Sequence, residues 1–441
     1  MNKKKLTLLL INPYIEDFAA YDHFSKPLGL IWLASYLKKY FNIYFINTLT
    51  RINPKLPKLK FKDNGCGNFY KKIIEKPKIL EDIPRDFKRY GIPEEIFLEE
   101  LLRIPCIPDF ILITSIMTYW YTGVIYTIKL IRKIFKNSKI ILGGIYPTLI
   151  PDHAKNNIPA DYIVHFQDLK LVLNDLSKIF NIEIDNNFLV PDYDLLNEYY
   201  YLPIISSVGC IFNCSYCASY YLSKFKQFDP TTISEMIINL NRKFGTTKFA
   251  FYDDALLVNS KNHIDIILYN IINKNLNFQF YTPNGLHIRY LNYETALLMK
   301  KVGFVDIRLS LESSKSDFQK NSGGKTTNLE FENAIDILYK VGFKRNNIKV
   351  YVLLNVPGIS YNDIENTMKY IYNIGGTPML AFYSPIPNTN DFEKAKKITD
   401  LNEPLFHNNT VYLYRSGFDI KYFQYLKSLE LNYRKQEYSL K

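Results

Sequence analysis

The chain has 441 residues, too many for one ordinary core, and its 47% apolar and 22% charged residues describe a folded protein rather than a disordered one. The formal net charge is +12, but no block of like charges stands out, so the excess reads as dispersed solvated lysine and gives no reason to expect nucleic acid as a partner. No apolar run is long enough to span a bilayer, so no membrane partner is expected.

The first residues, MNKKKLTLLLINP, superficially mimic a secretory leader, but the apolar run is short and Asn12-Pro13, Glu16 and Asp17 follow it. A buried first strand from Leu6 to Ile11 is expected, in a cytoplasmic protein. Gly29 to Tyr40 places Leu30, Leu33, Ala34 and Leu37 on one helical face, and Asn42 to Ile46 reads as a second strand. Further strands are expected at Asp109 to Thr114, Lys139 to Leu142 and Ala160 to Phe166, with a helix near Val124 to Phe135. This alternation implies βαβ units and a parallel sheet across residues 1–185. Residues 48–108 interrupt it as an insertion rich in Lys and Pro. Local helices such as Pro93 to Leu102 are expected there, because a structureless loop of that length is unusual.

Residues 186–201, with Pro191, Asp192, Asp194 and three consecutive tyrosines, read as a linker. A second series then supplies strands at Leu202 to Ser207, Lys248 to Tyr252, Phe278 to Tyr281, Asp306 to Leu311, Lys349 to Asn355 and Met379 to Tyr383. Helices fall near Ser234 to Phe244, Lys261 to Lys274, Tyr293 to Val302, Leu329 to Val341 and Tyr361 to Asn373. Six strands, each followed by a helix or loop, fit a partial β/α barrel over residues 202–395, and residues 396–441 form an extension without a strong pattern.

Three of the five cysteines, Cys210, Cys214 and Cys217, lie within eight residues, in a loop that follows a strand. Cys66 and Cys106 stand apart. In a reducing compartment such clustering points to metal. A cubane cluster takes one ligand per iron, so three thiolates leave one iron open to chelate a substrate's amino and carboxylate groups. A structural zinc site wants a fourth Cys or His close by, and the nearest downstream histidine is His263.

Cys-x3-Cys-x2-Cys with Tyr216 before the last cysteine resembles the signature of the radical S-adenosylmethionine (SAM) superfamily, and the resemblance covers about residues 202–390. It implies a partial (β/α)6 barrel, with a 4Fe-4S cluster on Cys210, Cys214 and Cys217. It also implies SAM on the open iron and reductive cleavage to a 5'-deoxyadenosyl radical. Asp253 and Asp254, ending the second barrel strand, match acidic pairs near the SAM methionine group; a turn held by Asp side chains is the other reading. Ile307 to Ser313 is similar to the fourth-strand segment that contacts SAM, with Ser310 and Glu312 alternating onto one face. Val352 to Gly358 is similar to the fifth-strand segment beside adenine, but Asn355 stands where glycine is usual. His287 and Arg289 are candidates for the cavity wall or for purely structural roles, and Tyr383 to Pro387, Tyr220, Tyr221 and Tyr281 are candidates to face substrate.

Pro27-Leu28-Gly29-Leu30 before a helix and Gly143-Gly144 after a strand resemble the cobalamin-binding-like domain often fused ahead of radical SAM barrels. Gly143 and Gly144 are the expected cofactor-binding residues, small enough for a flat macrocycle to approach the backbone. No Asp-x-His-x-x-Gly stretch offers a lower cobalt ligand, and Val164-His165-Phe166-Gln167 replaces a usual Gly-Glu pair. Cobalamin binding and a Rossmann-like domain without cofactor both remain open. The fold class expected is therefore α/β, a Rossmann-like parallel-sheet domain followed by a partial (β/α)6 radical SAM barrel. The resemblance implies a radical SAM enzyme, with cobalamin-dependent methyl transfer or hydrogen abstraction alone as its reactions, and flavodoxin or ferredoxin as reductant. The alternatives are a tRNA methylthiotransferase-like enzyme, which wants a third N-terminal cysteine, and a non-catalytic metal-stabilised binding protein. The Met117-Thr118-Tyr119-Trp120 run reads as an aromatic packing cluster.

Overall fold

The computed structural model describes residues 5–165 and 168–439. The chain divides into two compact units, residues 1–200 with 404–406 and residues 201–403 with 407–441.

In the first unit the chain runs β1 (Leu6–Asn12), β2 (Ile15–Asp17), α1 (Leu28–Leu37), β3 (Phe41–Asn47), β4 (Lys71–Ile73), β5 (Lys88–Tyr90) and α2 (Glu94–Leu102). It continues with β6 (Phe110–Ser115), α3 (Tyr121–Ile134), β7 (Lys139–Gly144), α4 (Ile145–Leu149), α5 (Pro151–Asn157), β8 (Tyr162–Ile163) and α6 (Leu169–Phe180). Five strands pair in parallel in the order β3-β1-β6-β7-β8. The order reverses between β1 and β6, which makes the carboxyl ends of these strands the place where such sheets bind ligands. Leu8, Leu9, Leu10 and Ile11 are wholly buried, as a strand covered on both faces requires. The expected strand Ala160 to Phe166 contracts to Tyr162–Ile163. The Asp161 carboxylate takes the Ile140 N–H at 2.8 Å and so occupies the ladder at its start, while Phe166 lies outside the described residues.

The insertion 48–108 is built, not loose. β2, β5 and β4 form an antiparallel sheet, and α2 lies within the helix expected from Pro93 to Leu102. Arg51 is buried beneath it, paired with Asp22 at 2.8 Å and with Glu198, and donating to the Gly65 carbonyl at 2.7 Å. Residues 187–200 pack on the same unit: Trp32 Nε1 donates to the Leu189 carbonyl, Ser35 Oγ to that of Val190, and Lys26 pairs with Glu198.

The second unit runs β9 (Leu202–Ile204), β10 (Ser207–Val208), α7 (Ser219–Leu222), β11 (Lys226–Gln227), α8 (Pro230–Phe244), β12 (Lys248–Phe251), α9 (Ile264–Ile272), β13 (Gln279–Tyr281) and α10 (Tyr293–Val302). Then come β14 (Phe304–Glu312), α11 (Ser316–Asn321), α12 (Asn328–Lys340), β15 (Ile348–Leu354), α13 (Tyr361–Ile374), β16 (Thr377–Phe382), α14 (Asn390–Ala395), α15 (Asn409–Arg415) and α16 (Ile420–Ser439). β9, β12, β13, β14, β15 and β16 pair in parallel in chain order, the partial barrel expected. Capping boxes Thr327/Glu330 and Ser360/Asp363 start α12 and α13 where the hydrophobic period begins.

The extension after residue 400, in which no pattern was legible, is helical. In α16 polar groups share the packing with Leu426 and Phe423, the latter edge-on to Phe382, so no continuous apolar stripe announces it. Glu430 is buried and accepts the Leu380 N–H at 3.1 Å, while Tyr422 and Tyr433 stack on Tyr361 and Tyr372. Among the described residues no helix is long and apolar enough to cross a membrane.

Candidate functional site

Cys210, Cys214 and Cys217 border one cavity in the second unit, about 750 Å³ of space open to solvent. The loop that carries them is tied down from outside. Ser215 donates its Oγ to Asp391 at 2.7 Å and its N–H to the Ser322 carbonyl at 3.2 Å, and it accepts the Asp391 N–H at 2.8 Å. Gly323, at φ +114, passes directly beneath; a side chain there would press on Asn213 O at 3.1 Å and Cys214 Cα at 3.2 Å. Backbone N–H groups of Phe212 and Ser219 reach the Cys210 and Cys217 sulfurs, each at 3.5 Å. Burial pushes the Cys210 thiol up and that of Cys214 to about 11, so loading a metal must displace protons. Among the described residues no three His, Cys, Asp or Glu side chains converge on a single ion. The cysteines instead share a cavity wall, which suits ligands that each take a different iron.

The strand ends supply the rest of the wall. Tyr216, Asp254, Ser310 and Glu312 all line the cavity. Burial raises the Asp254 carboxyl to about 6 and raises Glu312, in the second case against the pull of Lys325, whose Nζ lies 3.6 Å away. Tyr216 is half-buried and hydrogen-bonded to Glu312. Glu312 sits at φ +67, beside an irregularity in the β14–β15 register, so the backbone turns out of the strand at this carboxylate. Asp253 lies elsewhere. It is buried and accepts from Ser206 N and Oγ and from Ser207 Oγ, at 3.1, 2.7 and 2.6 Å, which fixes the strand end that feeds the cysteine loop.

In the first unit a second cavity, about 630 Å³ open to solvent, lies against the carboxyl ends of β6 and β7 between α1 and α6. Gly29, Trp32, Thr114, Gly143, Gly144 and His165 are among its lining. The two glycines singled out in the sequence are there for different reasons. Gly144 has φ +106, and a Cβ would collide with the Ser115 carbonyl, so its identity is dictated by its own backbone rather than by a ligand. At Gly143 the nearest atom to a Cβ would be 3.7 Å away, and at Gly29 nothing lies within 4 Å, so these two leave space that the protein itself does not use. His165 Nδ1 is 3.2 Å from the Pro147 carbonyl; Gln167 lies outside the described residues.

Residues 204–371 match the Radical SAM superfamily. Those residues form a radical SAM domain. An uncharacterised methyltransferase of Pyrococcus horikoshii is 22% identical over 345 residues, 69% of this chain and 73% of the relative. Among solved structures, the radical SAM methyltransferase TsrM from Kitasatospora setae, bound to tryptophan and a SAM analogue, superposes with TM-score 0.66 at 12% identity, covering 92% of this chain and 83% of TsrM. The cobalamin-dependent SAM radical enzyme OxsB, with aqua-cobalamin bound, superposes with TM-score 0.57 at 14% identity, covering 98% of this chain and 62% of OxsB. At these identities the likeness is one of fold: a Rossmann-like parallel sheet and a radical SAM barrel.

Within the radical SAM domain, sequence reasoning missed Lys325, Asn284 and Tyr351, which also line the cysteine cavity. The signal for Lys325 was the Gly323-Gly324 pair ahead of it, which had no strand end to draw attention to it. Tyr351 Oη donates to the Pro283 carbonyl at 2.6 Å and accepts from the buried Arg308 at 3.0 Å, a brace across three strands. His287 lines the cavity, whereas Arg289 pairs with Glu330. Asn355 holds Ser416 through its amide at 3.0 Å. Tyr383 is buried edge-on to Tyr412, Tyr281 is buried, and Tyr220 and Tyr221 are exposed. In the other unit Trp120 Nε1 donates to Asp17 at 2.8 Å, so the aromatic run there is packing.

Proposed function

We propose that the chain is a radical SAM methyltransferase that works with a cobalamin. It would hold a 4Fe-4S cluster on Cys210, Cys214 and Cys217, and take its electron from a protein such as flavodoxin or ferredoxin. One observation carries the reading: three thiol ligands, the half-buried Lys325 and Asp254 and the buried Glu312 border a single cavity. When bound, the cluster supplies the electron that splits the carbon–sulfur bond of SAM and the cobalamin supplies a methyl carrier.

The chain's own residues do the rest. Lys325 offers an ammonium to the SAM carboxylate, and Glu312 and Asp254 offer acceptors to its amino and hydroxyl groups. Phe212 and Tyr216 give the same wall apolar surface, which keeps water from the reacting atoms. In the first unit the unused space at Gly29 and Gly143 supports cobalamin as the occupant of the apolar cavity.

Anaerobic reconstitution should load about four irons per chain. Under a strong reductant the loaded protein should convert SAM to 5'-deoxyadenosine, and with substrate to S-adenosylhomocysteine as well. A loaded cluster that leaves SAM intact would sink the reading. Hydroxocobalamin should stay with the protein through gel filtration, and Gly143→Val, whose side chain has room to fold, should release it. Retention by both proteins would remove cobalamin from that cavity.

A further inference from the structure

The three cysteines do not have the same neighbours. Cys217 Sγ has the Ser219 hydroxyl at 3.4 Å, and Cys214 has the Tyr216 hydroxyl. Cys210 faces an imidazole: His287 Nε2 lies 3.8 Å from its Sγ, the reach of a long N–H···S hydrogen bond. The ring is fixed there. It is 4% exposed, and Phe212 packs against it with centroids 4.8 Å apart. Its Nδ1 meets no hydrogen-bond partner among the described residues. A neutral imidazole carries one N–H, and sulfur is the acceptor that rewards placing it on Nε2.

We infer that His287 is a positioning residue that donates its Nε2–H to the Cys210 thiolate and thereby raises the reduction potential of the cluster. The inference rests on the function proposed above. An added electron increases the negative charge on the ligand sulfurs, so a donor aimed at one of them stabilises the reduced state more than the oxidised state. The Phe212 N–H reaches the same sulfur from the backbone at 3.5 Å and stays in any side-chain variant, so a substitution isolates the ring's share.

The test compares wild type, His287→Leu and His287→Gln after anaerobic reconstitution, with iron content measured first. Midpoints then come from a potentiometric titration followed by electron paramagnetic resonance. In His287→Leu, at a potential set to the wild-type midpoint, the reduced-to-oxidised ratio should fall roughly tenfold, which is about 59 mV for a one-electron couple. His287→Gln, with an amide N–H of similar reach, should recover most of that loss. A leucine variant with full iron and an unshifted midpoint overturns the inference, and so does a glutamine variant as low as leucine. Should the leucine variant fail to load, pulsed resonance of the reduced wild-type cluster still decides, since an imidazole nitrogen coupling must be present. Wild-type protein that takes up no iron overturns the proposed function itself.

Discussion

Asn355 stands at φ +64, a left-handed backbone that the resemblance expects a glycine to occupy. Asparagine is among the residues that enter this region at least cost, and its amide exchanges hydrogen bonds with Ser416. Asn355→Ala should therefore lose about 1–3 kcal/mol in chemical denaturation, from strain and two lost bonds, and Asn355→Gly should recover part of it. Glu312 has the same handedness without asparagine's ease of entry, so its backbone carries strain beside the cavity it lines. The cysteines, Tyr216, Asp254, Ser310 and Glu312 were readable because each sits on or beside a recognisable strand end. Lys325 sits on a connection between two helices, and only three-dimensional proximity brings it to Glu312. Lys325→Met should weaken SAM binding at least tenfold by isothermal titration, as expected when a charge-assisted contact worth about 1.5–3 kcal/mol is removed. Unchanged affinity would place the SAM carboxylate elsewhere.

Elements with a clean hydrophobic period, such as α10 and α13, were expected within a residue or so of where they lie. The elements that escaped are held by partners far apart in the chain. Arg51 reaches back to Asp22 and forward to Glu198, and no local pattern encodes that triad. Its side chain is 1% exposed, so Arg51→Met leaves two buried carboxylates short of their cation. The expected cost is about 3–5 kcal/mol, read as a lower denaturation midpoint of the first unit. A loss below 1 kcal/mol would mean the carboxylates find water or Lys26 instead. The antiparallel sheet of β2, β5 and β4 was equally hidden, because three-residue strands are too short for alternation to show.

At the scale of the chain, alternating strands and helices were enough to foresee two parallel sheets, and the order of the second. They were silent on what the first sheet's cavity leaves empty. Gly29 lies in the first turn of α1 with nothing near its missing side chain, so Gly29→Ala should raise the stability of cofactor-free protein by up to about 1 kcal/mol. The same change should reduce cobalamin retention, a trade that a purely structural domain would not show. The edge of that sheet is also pH-sensitive. Burial pushes the Asp161 carboxyl up, but the Ile140 N–H, Lys139 and Arg132 outweigh it and hold it below the usual range. A depressed carboxylate adds stability above its unfolded pKa and loses it as pH falls through the folded value. Asp161→Asn should thus be less stable than wild type at neutral pH, with the gap closing in acid; a constant gap across the titration would refute the assignment.

The second sheet stops at six strands, and β16 ends it. A bare strand at that position is a template on which another copy of the chain can continue the hydrogen-bond ladder. Glu430 answers the Leu380 N–H with a carboxylate, where a neighbouring strand would offer a carbonyl, and α16 lies across the approach. The last helix thus covers that edge. A chain shortened to end before Ile420 should keep its barrel but form concentration-dependent oligomers on size exclusion, and Glu430→Ala should do so more weakly.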